Sequence, residues 1–541
     1  MKMSQSTCRK KSALVLFVLA IPLPFALAAQ TPDAANQLTI YPVTNGLPQS
    51  GDFTVRVRTP GHPWQELPVY VVKVAQGIDL RPAVRPVTPN SPGTRTTTQN
   101  SSMACFDFSG AVDVSITLNR RSVDSVRVRP LSYGITPQIK DNVLSFSLKQ
   151  PRNISVEVNG DIFHNLQLFA NPLEVSRPTP DDPNVIYFGP GVHQVGRLTI
   201  PSGKTVYLAG GSLVDGSFLI SHAENVRVLG RGILHQSSVA SMGVPKSDQP
   251  GTQASTRQSS SASSRQDGIL IEYSRDVEVN GIIELPSSYS VLIGQSENVS
   301  IRNIKSFSAG GNNDGIDVFT STHVLIDGVF MRNSDDNIAI YGHRWNYYGD
   351  VRHVIVQNST LWADVAHPIL VGTHGDSANP DTLEDLEFRN IDILDHREPQ
   401  LDYQGCMSLN AGDSNKIRDV RFEDIRVEDF NEGQLLNLRV FFNRKYNTSP
   451  GNGIEDVLFR NVTYTGTHAN PSMIEGYDEN RAIKNVVFEN LRINERLIFD
   501  DMPGKPGYYK TADMANIFVG EHADGIRFIA DDEQKLPAQG R

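Results

Sequence analysis

The chain has 541 residues, 20% charged and 39% hydrophobic, with a formal charge of −10 at pH 7. That length accommodates two or three domains and a large core, and the acidic balance disfavours nucleic acid or an anionic membrane as partner. Cys8 falls in a basic N-terminal segment, so Cys105 and Cys406 remain, which is no disulfide framework; no CxxC, HExxH or Cys/His cluster suggests zinc.

In chain order, residues 1–29 come first. Lys2, Arg9, Lys10 and Lys11 precede the apolar run ALVLFVLAIPLPFALAA, and Ala26-Leu27-Ala28 offers a small-x-small cleavage site. This is the pattern of a cleaved secretory signal peptide, which implies a secreted or periplasmic protein. Its removal takes the formal charge from −10 to −14. No later stretch holds the ~18 apolar residues that span a bilayer.

Residues 30–185 show short alternating runs such as FTVRVRT, VDVSITL and ISVEVNG, separated by turn residues. The pattern predicts an accessory β-sandwich domain. A Pro/Thr/Ser stretch at 86–102 reads as a long loop.

From residue 186 to 500 one phrase recurs: polar, apolar, polar, apolar, two polar or small residues, apolar. Its first apolar position falls at 206, 226, 277, 299, 324, 354, 386, 420, 457 and 486. Repeats of this length mean stacked units. Short period-2 strands followed by Asn, Asp or Gly turns predict a right-handed parallel β-helix of about ten coils. The Ser/Gln/Thr-rich segment 238–267 reads as a flexible loop ejected from one coil, and 501–541 as a C-terminal cap or tail. The fold class is therefore all-β, a sandwich followed by a parallel β-helix.

Stacking converts spacing into geometry. An offset of 22 carries Ile316 and Val318 onto Ile338 and Ile340, and with them Asp314 onto Asp336 and Asn313 onto Asp335. Registering Ile369 and Val371 with Ile338 and Ile340 adds His367. One column then reads Asp314, Asp336, His367, with Asp335 beside it. Carboxylates held this close raise at least one pKa, which suits a general acid, while an ionised neighbour can activate water. Asp before Gly is also an ordinary turn signal; the registered column favours chemistry over turns.

These motifs resemble glycoside hydrolase family 28, the polygalacturonases, and more distantly the dextranase family of the same clan. The matching residues are Asn312-Asn313-Asp314, Asp335-Asp336 at a distance of 21, and Ala366-His367-Pro368. The resemblance implies an inverting O-glycoside hydrolase that needs no cofactor or metal. By that analogy Asp335 protonates the glycosidic oxygen, Asp314 and Asp336 activate water, and His367 tunes the acid or binds sugar. The family's basic Arg-Ile-Lys is missing. The corresponding coil is GCMSLNAG, residues 405–412, whose outward positions read as Cys406, Ser408 and Asn410.

Candidate substrate contacts are Asn313, then His343, Arg344 and Trp345 in the aromatic insertion YGHRWNYYGD, then His374, Arg439 and Tyr477. The expected partner is a polysaccharide or oligosaccharide, bound by a monomer. Polygalacturonate and a neutral, dextran-like glucan both stand as substrates. A β-helix lyase and a non-catalytic polysaccharide-binding β-helix stand as alternatives.

Overall fold

The computed structural model describes residues 36–79, 94–120, 122–237 and 266–535. The signal peptide expected at 1–29 and nearly all of the loop expected at 238–267 lie outside the described residues.

The alternating runs form two sheets. One orders Gln65–Leu67, Phe53–Arg58, Val112–Leu118, Val143–Leu148 and Gln138–Lys140. The other is built on the long strand Thr94–Ser109, which pairs with Tyr70–Asp79 and Asp161–Pro172. Period-2 patterning puts Val55, Val57, Val114 and Ile116 on the inner face, opposite Phe106 and Leu168. The loop expected at 86–102 is corrected over its second part. Residues 94–102 are strand, where β-branched threonines pair antiparallel with Gln76–Asp79 despite their polar composition.

From Val185 the chain winds into one system of 32 strands, parallel between successive coils. Crossovers between parallel strands are overwhelmingly right-handed. The recurring phrase has a direct physical meaning. Its first apolar residues stack in register, Val226 on Val277, Val299, Val324 and Val354, all buried. The residue before each turns the chain with positive φ: Asn225 at 56°, Asp276 at 56°, Asn298 at 54° and His323 at 55°. Asn and Asp tolerate that conformation better than other side chains.

One core column measures the coil repeat. Phe388, Phe422, Phe459, Phe488 and Phe528 stack with centroids 4.8, 4.9, 4.9 and 4.7 Å apart. The parallel pairing also runs past residue 500. Ile517–Val519 pairs with Ser472–Glu475, and Arg527–Ile529 with Ile483–Glu489, so the last coils include part of the expected cap.

The outer face of the sandwich packs on the helix through Tyr70, Val72, Val74, Met103 and Phe169 against Leu213, Ile233, Ile283, Phe307 and Phe330. Buried ion pairs flank this contact: Arg231 with Asp107 at 3.0 Å and Arg129 with Glu428 at 2.7 Å. Asp364, paired with Arg332 at 3.0 Å, accepts the Ala75 N–H at 3.2 Å. Charges this deep are tolerated because each finds a partner, and they join the sandwich to coils that include those of Asp336 and His367.

Candidate active site

Three strands carry the site: Ile316–Phe319, Ile338–Tyr341 and Ile369–Gly372. Ile316 lies on Ile338 and Ile338 on Ile369. The ladder extends upstream of the strands. The Gly315 N–H donates to the Asp336 carbonyl at 2.7 Å and the Asn337 N–H to the His367 carbonyl at 2.8 Å. Asp314, Asp336 and His367 therefore occupy one position on successive coils. Asn313, Asp314 and Asp336 are 5–6% exposed and His367 is fully buried, while Asp335 is half-buried.

The hydrogen bonds of His367 fix its charge. Nδ1 lies 2.7 Å from Asp336 Oδ1, and Nε2 lies 2.5 Å from the Tyr403 carbonyl oxygen. A carbonyl only accepts, and the carboxylate oxygen already accepts the His367 backbone N–H at 3.1 Å. Both ring nitrogens donate, so the ring is an imidazolium and Asp336 its carboxylate partner. Burial alone would lower the His367 pKa; the Asp336 charge and hydrogen bond outweigh it and raise the pKa to about 9. Asp336 Oδ2 accepts from Tyr341 Oη at 3.2 Å.

His396 provides the contrast, with its ring centroid 6.0 Å from that of His367. Its Nδ1 donates to the Ala366 carbonyl at 2.8 Å and its Nε2 accepts the Gly405 N–H at 3.4 Å. One donor and one acceptor require the neutral ring. Burial, then the neighbouring His367 charge, hold its pKa at about 3.

Asp335 sits where negative charge accumulates. Burial of its carboxyl, then the charges of Asp336 and Glu398, push its pKa up to about 8; His367 and the Asp336 N–H, 3.1 Å from its Oδ1, pull the other way. The site thus sets a carboxyl whose pKa is raised beside one that is hydrogen-bonded to His367, an arrangement in which two neighbouring carboxyls differ in environment.

The other expected residues are distributed unevenly. In the insertion, the His343 N–H donates to Asp381 at 2.7 Å and its Nδ1 bonds the Tyr347 carbonyl at 2.8 Å. Trp345 packs on Phe319 at 5.3 Å and lies 6.5 Å from Tyr289, so the loop lays aromatics on the sheet face beside the column. His374 meets Tyr341 edge-on at 5.0 Å; burial, then Arg344, hold its pKa well below normal, so it is neutral. Arg344 lies 5.0 Å from the Trp345 ring and has no carboxylate partner among the described residues. Its Nε is buried without a hydrogen bond there.

Arg439 is engaged instead, with Glu475 at 3.1 Å and Asp402 at 3.6 Å. Tyr477 is 44% exposed and lies against Arg481, 5.8 Å from its guanidinium, four coils from Asp336. The outward reading of Cys406 is corrected: it is buried in the apolar core with Met407 and Leu409. Ser408 and Asn410 are buried too, Ser408 bonding the Gln404 and Gly405 carbonyls and Asn410 bonding Asn437 at 2.8 Å.

The sequence reading missed Glu398, Tyr341 and Tyr403. Tyr341 was legible in principle, as an outward residue of the registered strand IAIY. Glu398 was not. It lies in the irregular segment HREPQLDYQG, held between isolated bridges: the Ala366 N–H donates to the Arg397 carbonyl at 2.7 Å and the Glu398 N–H to the Glu432 carbonyl at 3.0 Å. Glu398 is 3% exposed, and its pKa is raised by burial against the pull of His367.

Comparison with known proteins covers the same stretch of the chain. Residues 246–497 match the family model described as Glycosyl hydrolases family 28. The matched segment contains the whole acidic column and Glu398. Endopolygalacturonase B of Aspergillus niger is 27% identical over 169 residues, 30% of this chain and 42% of that protein. Probable endopolygalacturonase D of Neosartorya fischeri is 24% identical over 188 residues, 34% of this chain and 36% of that protein. The chain thus spans less than half the length of these curated relatives. Among solved structures, Dex49A from Penicillium minioluteum superposes with a TM-score of 0.53 at 15% identity, covering 91% of this chain and 96% of that one. The shared fold therefore extends beyond the matched segment into the sandwich.

Proposed function

We propose that the protein hydrolyses O-glycosidic bonds of a polysaccharide or its fragments, with inversion at the anomeric carbon. The observation that carries this reading is the split between adjacent carboxyls. Asp336 is held as a carboxylate by the doubly donating His367, and Asp335, beside it, has its pKa raised to about 8. Asp335 donates its proton to the glycosidic oxygen as the bond breaks. A water held between Asp336 and Asp314 loses a proton to one of them as it attacks the opposite face of the sugar. Atoms balance: one water is consumed, the leaving sugar gains the proton from Asp335, and that acid is restored by the proton the water gave up. The likeness to endopolygalacturonases supports the same reaction class.

Two substrate readings have separate support. The neutral, buried Ser408 and Asn410 leave no cation on the coil where the family carries its basic pair, which favours a neutral glucan. Arg344, without a carboxylate partner among the described residues, favours a uronic acid polymer. Reducing-end release from polygalacturonate and from dextran, with the anomer of the first product read by proton NMR, tests both class and substrate. Release of the inverted anomer from either polymer is expected. An unsaturated product absorbing in the ultraviolet would replace hydrolysis with elimination, and binding without release would leave a non-catalytic β-helix.

A further inference from the structure

A cavity of about 900 Å³ lies away from the acidic column, between the sandwich and another corner of the coils. Its volume is within the range of ligand sites, roughly 300–1,000 Å³. The floor runs from Arg227 to Arg426 across seven coils in continuous register. At ~4.8 Å per coil that is about 29 Å. The facing wall belongs to the sandwich and includes Tyr133, Arg152 and Val175.

Three features of the lining describe its ligand. First, the floor groups are already immobilised. Arg227 pairs with Glu278 at 2.9 Å, Arg302 with Asp327 at 2.9 Å and Arg426 with Asp392 at 2.6 Å. Side chains fixed this way cost little entropy on binding and keep further donors and lone pairs for a ligand. Second, these charges cancel along the floor, which suits a hydroxyl-rich chain better than a polyanion. Third, apolar surface is interspersed: Leu229 and Pro172 line the groove, and Val175 is fully exposed. A sugar ring presents the same mixture of hydroxyl edges and apolar faces, and the coil repeat is close to the length of one pyranose unit. Arg152 stands on the wall, its guanidinium 4.1 Å from the Tyr133 ring, with no carboxylate partner among the described residues.

We propose that this groove is a second, non-catalytic binding site for an extended polysaccharide chain. It would hold polymer on the enzyme while the acidic column cuts. The sandwich then has a role beyond packing: it supplies the wall without which the floor would be an open face. The proposal rests on the reading of the protein as acting on carbohydrate, and the test separates the two.

Affinity electrophoresis would be run with Asp335→Asn protein in gels containing polygalacturonate or dextran, against polymer-free gels. Retardation by one polymer is expected, and part of it should persist when a trisaccharide of the same sugar saturates the catalytic cleft. Arg152→Ala combined with Asn280→Ala, a second lining residue, should weaken the persisting retardation about threefold or more. In the active protein the same double variant should leave trisaccharide hydrolysis and the melting temperature unchanged. The proposal is overturned if no polymer retards the protein, if the trisaccharide abolishes all retardation, or if the double variant is retarded like its parent. Absence of trisaccharide and polymer hydrolysis would instead count against the glycosidase reading, with retardation still reporting on the groove.

Discussion

Two corners of the same coils stack aspartate and asparagine side chains, and they treat them in opposite ways. At the corner that follows the strands ending in Arg302 and Asp327, acids are interspersed with amides. Asn358 donates to Asp327 at 2.8 Å, Asn390 donates to Asn358 at 2.7 Å, and Arg302 closes the end on Asp327 at 2.9 Å. Further down, Asn461 donates to Asp424 at 2.9 Å and Asn490 to Asn461 at 3.0 Å. Every acid there has a donor, and the residues serve the turn. At the corner before Ile316, Ile338 and Ile369, acids stack on acids. His367 neutralises one of them, and Asp335 is left beside Asp336 and Glu398 with its pKa raised. An Asp at a β-helix turn is thus structural where an amide ladder satisfies it. It becomes chemical where the ladder is replaced by like charge.

Substitutions at the two corners should separate these roles, and the largest effect is expected at Asp335. Asp335→Asn removes the proton donor and should lower reducing-end release by about 10²–10⁴-fold, with circular dichroism unchanged. Wild-type turnover by that variant would reduce the acidic corner to a turn like the other. His367→Gln removes the only cation paired with Asp336 among the described residues. Denaturant unfolding should show a loss of about 3 kcal/mol, because a buried carboxylate loses its partner. Activity should fall with it, and its alkaline limb should move to higher pH, since the positive charge that lowers the Asp335 pKa is gone.

The amide ladder should respond in the converse way. Asn390→Ala breaks the hydrogen bond to Asn358 and places alanine at a φ of 52°. A destabilisation of about 1–2 kcal/mol is expected in chemical denaturation, with trisaccharide hydrolysis within about twofold of wild type. A large loss of activity without loss of stability would erase the distinction between the corners.

The smallest effect is also diagnostic. The folded-state pKa of Asp335 is raised to about 8, against an unfolded value of about 4. Between these values the folded state binds more protons than the unfolded, so the stability contribution is full below about pH 4 and is lost as pH rises towards 8. Asp335→Asn removes that loss. Its melting temperature should exceed wild type by about 2 °C at pH 7 and match it at pH 4.

The sequence reveals these relations wherever the repeat is unbroken. The steps from Val299 to Val324 and from Ile316 to Ile338 keep inward residues in phase, so stacking, register and the column of Asp314 and Asp336 follow from spacing alone. His367 is legible because the apolar pair Ile369 and Val371 restores the phase after an insertion. Legibility ends where the chain leaves the repeat. Glu398 and Tyr403 reach the site from a segment with no apolar periodicity, and only tertiary hydrogen bonds place them. Cys406 precedes the inward Met407 and was assigned outward by alternation, yet alternation starts only with the strand at Met407, and the preceding backbone turns Cys406 into the core. Arg439 shows a different limit. Its column was predictable, but its engagement by Glu475 depends on a coil about 36 residues further on.

Asp335, its pKa raised beside Asp336 and Glu398, is proposed as the acid that protonates the leaving sugar. The pH dependence of kcat/KM on the polymer that is cleaved tests it most directly, because the alkaline limb reports the acid of the free enzyme. The raised pKa of Asp335 predicts that activity persists through neutrality and falls with a midpoint near about 8. A limb centred near pH ~4, the value of an ordinary carboxyl, would contradict it.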